Sequence, residues 1–138
     1  MATTVTVRRL APSAPAHWLV TFSATGCGPA TVIELSDTSS DIRLPQTGRV
    51  VRVDVGVSAA AGGATEAAPV LSTTSGALAF DNTVLDLDPI ADGSSLSEAM
   101  ATPIPYAVVP DGPLYLHTVA DAGTVTLTGQ ILVLGGWA

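Results

Sequence analysis

Between Thr124 and Val133 the chain alternates with a period of two. Val125, Leu127, Ile131 and Val133 share one parity, and Thr124, Thr126, Thr128 and Gln130 share the other. A β-strand turns successive side chains to opposite faces, so this pattern specifies a strand with one face in a core and the other in water. The residues before it behave alike: Leu114, Leu116 and Thr118 alternate with Tyr115, His117 and Val119, and Ala120–Gly123 supplies a turn. Pro113–Trp137 is therefore expected to form a long antiparallel hairpin, central in a β-sandwich.

The same period recurs upstream. Val5 and Val7 mark a strand over Thr3–Leu10. Trp18, Val20 and Phe22 mark one over His17–Ala24, and Ala30–Leu35 is a third. Over Arg49–Val57 the parity predicts Val51, Val53, Val55 and Val57 on the core face, with Val50, Arg52, Asp54 and Gly56 on the other. Ser58–Ala68, rich in alanine and broken by Gly62-Gly63, is expected to be a surface loop. Val70–Thr73, Ala77–Phe80 and Thr83–Leu87 read as short strands, and Ile104–Val109 as another. Ser94–Met100 is the one expected helix, because Ser95 with Glu98 three residues on has the form of a capping box. The spacing thus predicts an all-β, antiparallel, jelly-roll-like β-sandwich of about eight or nine strands with one short helix. No alternating βαβ units occur that would give a parallel sheet. Residues 16–138 are expected to form a single domain, preceded by an N-terminal strand or arm over residues 1–15.

Composition agrees. The chain has 138 residues, 47% hydrophobic but only 4% aromatic, so its core must be built from Val, Leu, Ile and Ala. A domain of this size buries about 68–70% of its unfolded surface and needs neither metal nor disulfide; Cys27 is the single cysteine. The net charge is −7 and all five basic residues are arginines, a balance that opposes binding to nucleic acid or anionic lipid. The N-terminal residues lack the apolar segment of a signal peptide. No apolar run approaches the roughly 20 residues of a membrane helix.

Few residues point to chemistry. Asp86, Asp88 and Asp92 crowd into seven positions, as Ca²⁺ ligands do, but Ile90 sits where an EF-hand has its third ligand and Ser97 replaces its closing Glu. The simpler reading places them on a solvent face and in a turn. His17 and His117, a hundred residues apart, are expected to be hydrogen-bonded structural histidines. Cys27, between two glycines, has no neighbour in sequence that would lower its pKa. No serine lies in a G-x-S-x-G elbow. The expectation is a non-enzyme without metal or cofactor. Arg8, Arg9, Arg49 and Arg52 read either as scattered surface charges or as contacts to carboxylates of a partner. Arg49 and Arg52 have opposite parity and are not expected to share a face.

The Thr-rich opening MATTVTV, the alanine–glycine stretch AAAGGATEAA and the closing YLHTVADAGTVTLTGQILVLGGW together resemble small β-sandwich proteins of tailed-phage virions, especially capsid cement or decoration proteins. That resemblance implies an oligomer, often a trimer, on the exterior of a phage head, where it clamps neighbouring major capsid subunits without catalysis. It carries no functional residue with it. A carbohydrate- or receptor-binding sandwich of a phage fibre or tail tip is the alternative. For partner contact the residues singled out are Thr3, Val5, Arg8 and Arg9, on a segment that either docks as an arm on a neighbour or is an ordinary strand of its own sheet.

Overall fold

A computed structural model describes residues 2–10, 16–40, 42–107 and 113–135, and shows antiparallel β-structure throughout. The strands are β1 (Thr3–Arg9), β2 (Ala16–Cys27), β3 (Val32–Glu34), β4 (Thr47–Ala61), β5 (Glu66–Ala67), β6 (Val70–Ser72), β7 (Thr83–Asp86), β8 (Ile90–Ala91), β9 (Ser94–Ala107), β10 (Tyr115–His117) and β11 (Thr124–Gly135). They form a five-stranded sheet, β1-β2-β11-β4-β9, a four-stranded sheet, β3-β10-β6-β7, and the pair β5-β8. Buried side chains from both larger sheets belong to one apolar cluster, including Val5, Val20, Val53, Leu127 and Ile131 from the first and Ile33, Leu71 and Leu116 from the second.

The alternation over β11 holds along its whole length. Val125, Leu127, Ile131 and Val133 are buried, Thr128 is exposed and Thr126 is half-buried. β11 lies at the centre of its sheet, between β2 and β4. It does not pair with β10, however, so the expected closing hairpin does not form. β10 pairs with β3 and β6 in the other sheet. The link between them passes through Val119, at φ 48°, and Ala120, which bridges Ala67. Parity tells which face of a strand is buried, not which strand lies beside it.

β4 departs from strict parity at one residue. Val50, Val53, Val55 and Val57 are buried, whereas Val51 is only half-buried. The register to β11 steps by one residue between Leu132 and Val133 while β4 advances from Arg52 to Val50. The register to β9 shifts at the same place. Val51 is the extra residue of a β-bulge, which reverses the facing of everything before it.

The expected helix is absent: Ser94–Ala107 is a strand. Leu96 and Met100, four residues apart, share a face in either conformation, so their spacing does not discriminate. Pairing of Ser94–Ala99 with Val57–Arg52 of β4 decides for the strand. Ala77–Phe80 is not a strand but an exposed loop. The stretch expected to be a loop at Ser58–Ala68 is in part strand, since β4 continues to Ala61 and Glu66–Ala67 forms β5. The turn between them is tight. A Cβ on Gly62 would lie 2.7 Å from the Cα of Gly123, and both glycines have positive φ.

Thr3–Arg9 pairs with β2 and is thus a strand of the chain's own sheet, with Val5 and Val7 fully buried. Its outer edge is covered. The Val5 N–H donates to Thr38 Oγ1 at 3.3 Å, the Thr38 N–H donates to the Val5 carbonyl at 2.9 Å, and the Val7 N–H donates to Asp37 Oδ2 at 2.9 Å. The Val7 N–H, then the Ser39 N–H, hold the Asp37 carboxyl down at about 2. The Thr65 hydroxyl and the N–H groups of Thr65 and Glu66 do the same for Asp121.

A carboxylate whose folded pKa is depressed contributes stability above its unfolded value of about 3.9. That contribution is lost as pH falls through the folded value. The melting temperature is therefore expected to fall as pH drops from about 4 towards 2. Asp37→Ala should flatten that dependence while lowering the melting temperature at neutral pH. Parallel curves for the two proteins, measured by calorimetry across this range, would show that Asp37 does not clip the β1 edge.

Candidate functional site

The solvent face of the five-stranded sheet carries the arrangement with the most chemistry, and the pairing registers give its layout. One cross-strand row runs Thr4, Ser23, Thr128, Gly56, Ser95, and the next runs Thr6, Thr21, Gln130, Asp54, Ser97. A third runs Arg8, Leu19, Leu132, Arg52, Ala99, and a fourth runs His17, Leu134, Arg49, Pro105. Leu10 joins the fourth row, its N–H donating to the His17 carbonyl at 2.8 Å. The face is thus hydroxyl-rich at one end and leucine- and arginine-rich at the other.

Between the two ends lies a hydrogen-bonded network. Arg52 Nε contacts Asp54 Oδ2 at 3.0 Å, and Arg52 Nη2 donates to Ser97 Oγ at 2.7 Å. The Ser97 hydroxyl donates to Asp54 Oδ1, and Gln130 Nε2 donates to Asp54 Oδ2 at 3.3 Å. The bond from Arg52, followed by that from Ser97, holds the Asp54 carboxyl below its usual range. Arg52 is 49% exposed, so solvent screening leaves the ion pair little weight in stability. Its effect is to fix the two side chains in place. Gly56 presents no side chain on this face, which leaves a shallow cleft walled by Asp54, Ser95, Ser97, Thr128 and Gln130.

The bulge at Val51 creates the basic end. Arg49 and Arg52, of opposite parity in sequence, lie opposite Leu134 and Leu132 of β11 and so share the solvent face. Arg8 joins them from β1, which brings three of the five arginines of an acidic chain onto one end of one face. Neither Arg8 nor Arg49 makes an ion pair among the described residues. The sequence separated Arg49 from Arg52 because a bulge leaves no local signature in a run of valines.

Of the four residues singled out for partner contact, Arg8 lies on this face. Arg9 lies over the Trp18 ring at 5.5 Å, Val5 is fully buried in the core, and Thr3 is half-buried. His117 is buried, with Nε2 2.7 Å from the Thr74 carbonyl oxygen, as expected of a structural histidine. His17 is instead exposed. Cys27 is fully buried, and burial pushes its thiol pKa up. Asp86, Asp88 and Asp92 are exposed, and Asp92 accepts the Ala59 N–H at 2.7 Å, next to the turn at Gly93. Among the described residues no three His, Cys, Asp or Glu side chains come together as a metal site.

β9 borders this face as the edge strand opposite β1. Among the described residues nothing hydrogen-bonds to the backbone of its outer edge. Compared with known proteins, the chain matches no family model, no curated protein and no solved structure.

Proposed function

We propose that the chain is a structural virion protein, a jelly-roll-like β-sandwich acting as capsid cement on the exterior of a phage head. It binds subunits of the major capsid protein and performs no catalysis. The observation that carries this reading is the asymmetry of the sheet edges. β1 is capped by Asp37 and Thr38, whereas the outer backbone edge of β9, a strand of 14 residues, has no hydrogen-bonded partner among the described residues. An open edge of this length is a template for another strand, and a domain that works alone covers or shortens it. Strand addition gives affinity through backbone hydrogen bonds. Met100–Pro103 lie in the register break with β4, and Pro103 and Pro105 offer no N–H, so the usable stretch is Ser94–Ala99. The resemblance in sequence style to small phage sandwich proteins supplies the virion context.

Two measurements test it. Mass spectrometry of purified particles should find the protein at hundreds of copies per particle, whereas a few to tens would place it in a tail or fibre. Hydrogen exchange at Ser94–Ala99 should slow when the protein binds heads that lack it. Unchanged exchange there would rule out the edge as the contact.

The cleft at Asp54, Ser97 and Gln130 favours a second reading, a carbohydrate- or receptor-binding domain of a fibre or tail tip. Its carboxylate and amide suit sugar hydroxyls, and binding on a glycan array that is lost in Asp54→Ala would establish it.

A further inference from the structure

The loop between β6 and β7 carries an apolar side chain where none should be free of cost. Phe80 is 102% exposed and Leu78 39% exposed, in a chain with only two phenylalanines. The loop is not loose. Asn82 accepts the Ala79 N–H at 2.8 Å and donates from Nδ2 to the Ala77 carbonyl at 3.1 Å. Thr83 Oγ1 donates to the Ala79 carbonyl at 2.8 Å, and Ser72 Oγ donates to the Asn82 carbonyl at 2.8 Å. His117 Nε2 lies 2.7 Å from the Thr74 carbonyl oxygen, which anchors the start of the loop to β10. Bonds on both sides of Phe80 thus hold it out in one backbone conformation. A pre-organised aromatic anchor loses little entropy on docking, and such residues dominate interface energetics.

The surroundings of the anchor state what it fits. From Thr73 to Pro89 the chain carries Asp81, Asp86 and Asp88, all exposed, and no cationic residue. Its counterpart is therefore an apolar surface rimmed by cations. The leucine- and arginine-rich end of the five-stranded sheet has that composition. Leu10, 49% exposed, and half-buried Leu19, Leu132 and Leu134 lie among Arg8, Arg49 and His17.

From this complementarity we infer that the chain self-associates, the Phe80 loop of one copy docking on the leucine–arginine end of the sheet of a second. The two surfaces are different parts of the molecule, so the contact is heterologous and closes into a ring or extends as a chain. It uses neither the β9 edge nor the Asp54 cleft, and so stands or falls separately from the virion reading.

Sedimentation velocity over a concentration series, with the purified full chain, tests the pairing. The wild type should associate reversibly. Phe80→Ala and Arg49→Asp should each raise the dissociation constant about tenfold or more, with circular dichroism unchanged because both side chains are exposed. Asp81→Arg should also weaken association, and mixing it with Arg49→Asp should restore mixed assemblies through the exchanged charge. A wild type that stays monomeric at every concentration would overturn the inference. So would association unchanged by Phe80→Ala. Association weakened by Phe80→Ala but indifferent to Arg49→Asp and to the mixture would overturn the assignment of the second copy's basic face as the acceptor.

Discussion

Deleting residues 1–9 is expected to abolish the cooperative fold at room temperature. β1 contributes Val5 and Val7, both fully buried, and it covers Val20, Phe22 and Ala24 of β2, to which it pairs throughout its length. Full burial of a valine contributes about 1.5–3 kcal/mol. The loss of two valines together with the re-exposed side of β2 therefore amounts to several kcal/mol, against a total stability of about 5–15 kcal/mol for a domain of this kind. Asp37 loses the Val7 N–H and Thr38 loses its bonds to Val5 in the same step. The truncated chain should show no near-ultraviolet circular dichroism and no thermal transition. A truncated chain that melts near the full-length temperature would show instead that the segment is a detachable arm.

Leu127→Ala is expected to lower stability by about 2–5 kcal/mol, the range for deleting most of a buried leucine side chain. Leu127 is fully buried on the central strand, paired on one side with Ala24 and on the other with Val57. With extended strands on both sides, the sheet has little freedom to collapse into the cavity, which places the effect towards the upper part of that range. Thr128→Ala, one residue on, faces solvent and should change stability by no more than about 0.5 kcal/mol. Urea denaturation of the pair measures both. Equal effects would overturn the facing assigned to β11.

Much of this fold is legible residue by residue. The parity of β11 placed Val125, Leu127, Ile131 and Val133 in the core, and that of β1 and β2 put Val5 with Val7 and Val20 with Phe22 on one face each, although Val5, singled out for partner contact, is instead buried. The β-rich, antiparallel character follows from the same pattern. The candidate site was legible only in its parts. Arg8, Arg49 and Arg52 stood out as the scarce cations of an acidic chain, and Asp54 was placed on the face opposite the valines. Their union on one solvent face was not visible, nor was the exposure of Phe80, which the sequence put in a short strand.

What the sequence determined by itself was the facing of strong strands that run without a bulge, because alternation is a local property and a strand of any topology must bury its apolar side. What the tertiary structure decided was partnership. β10 and β11 are adjacent in the chain yet sit in different sheets, because each finds its backbone partners among strands distant in sequence. Ser94–Met100 became a strand for the same reason, since β4 offered it a row of backbone groups that outweighs a capping-box preference. The bulge at Val51 is the sharpest case. One extra residue, set by the registers of β11 and β9 together, turned Arg49 to the face of Arg52 and made the basic end of the sheet. Register is a contest between whole strands, and no window of sequence around Val51 contains its outcome.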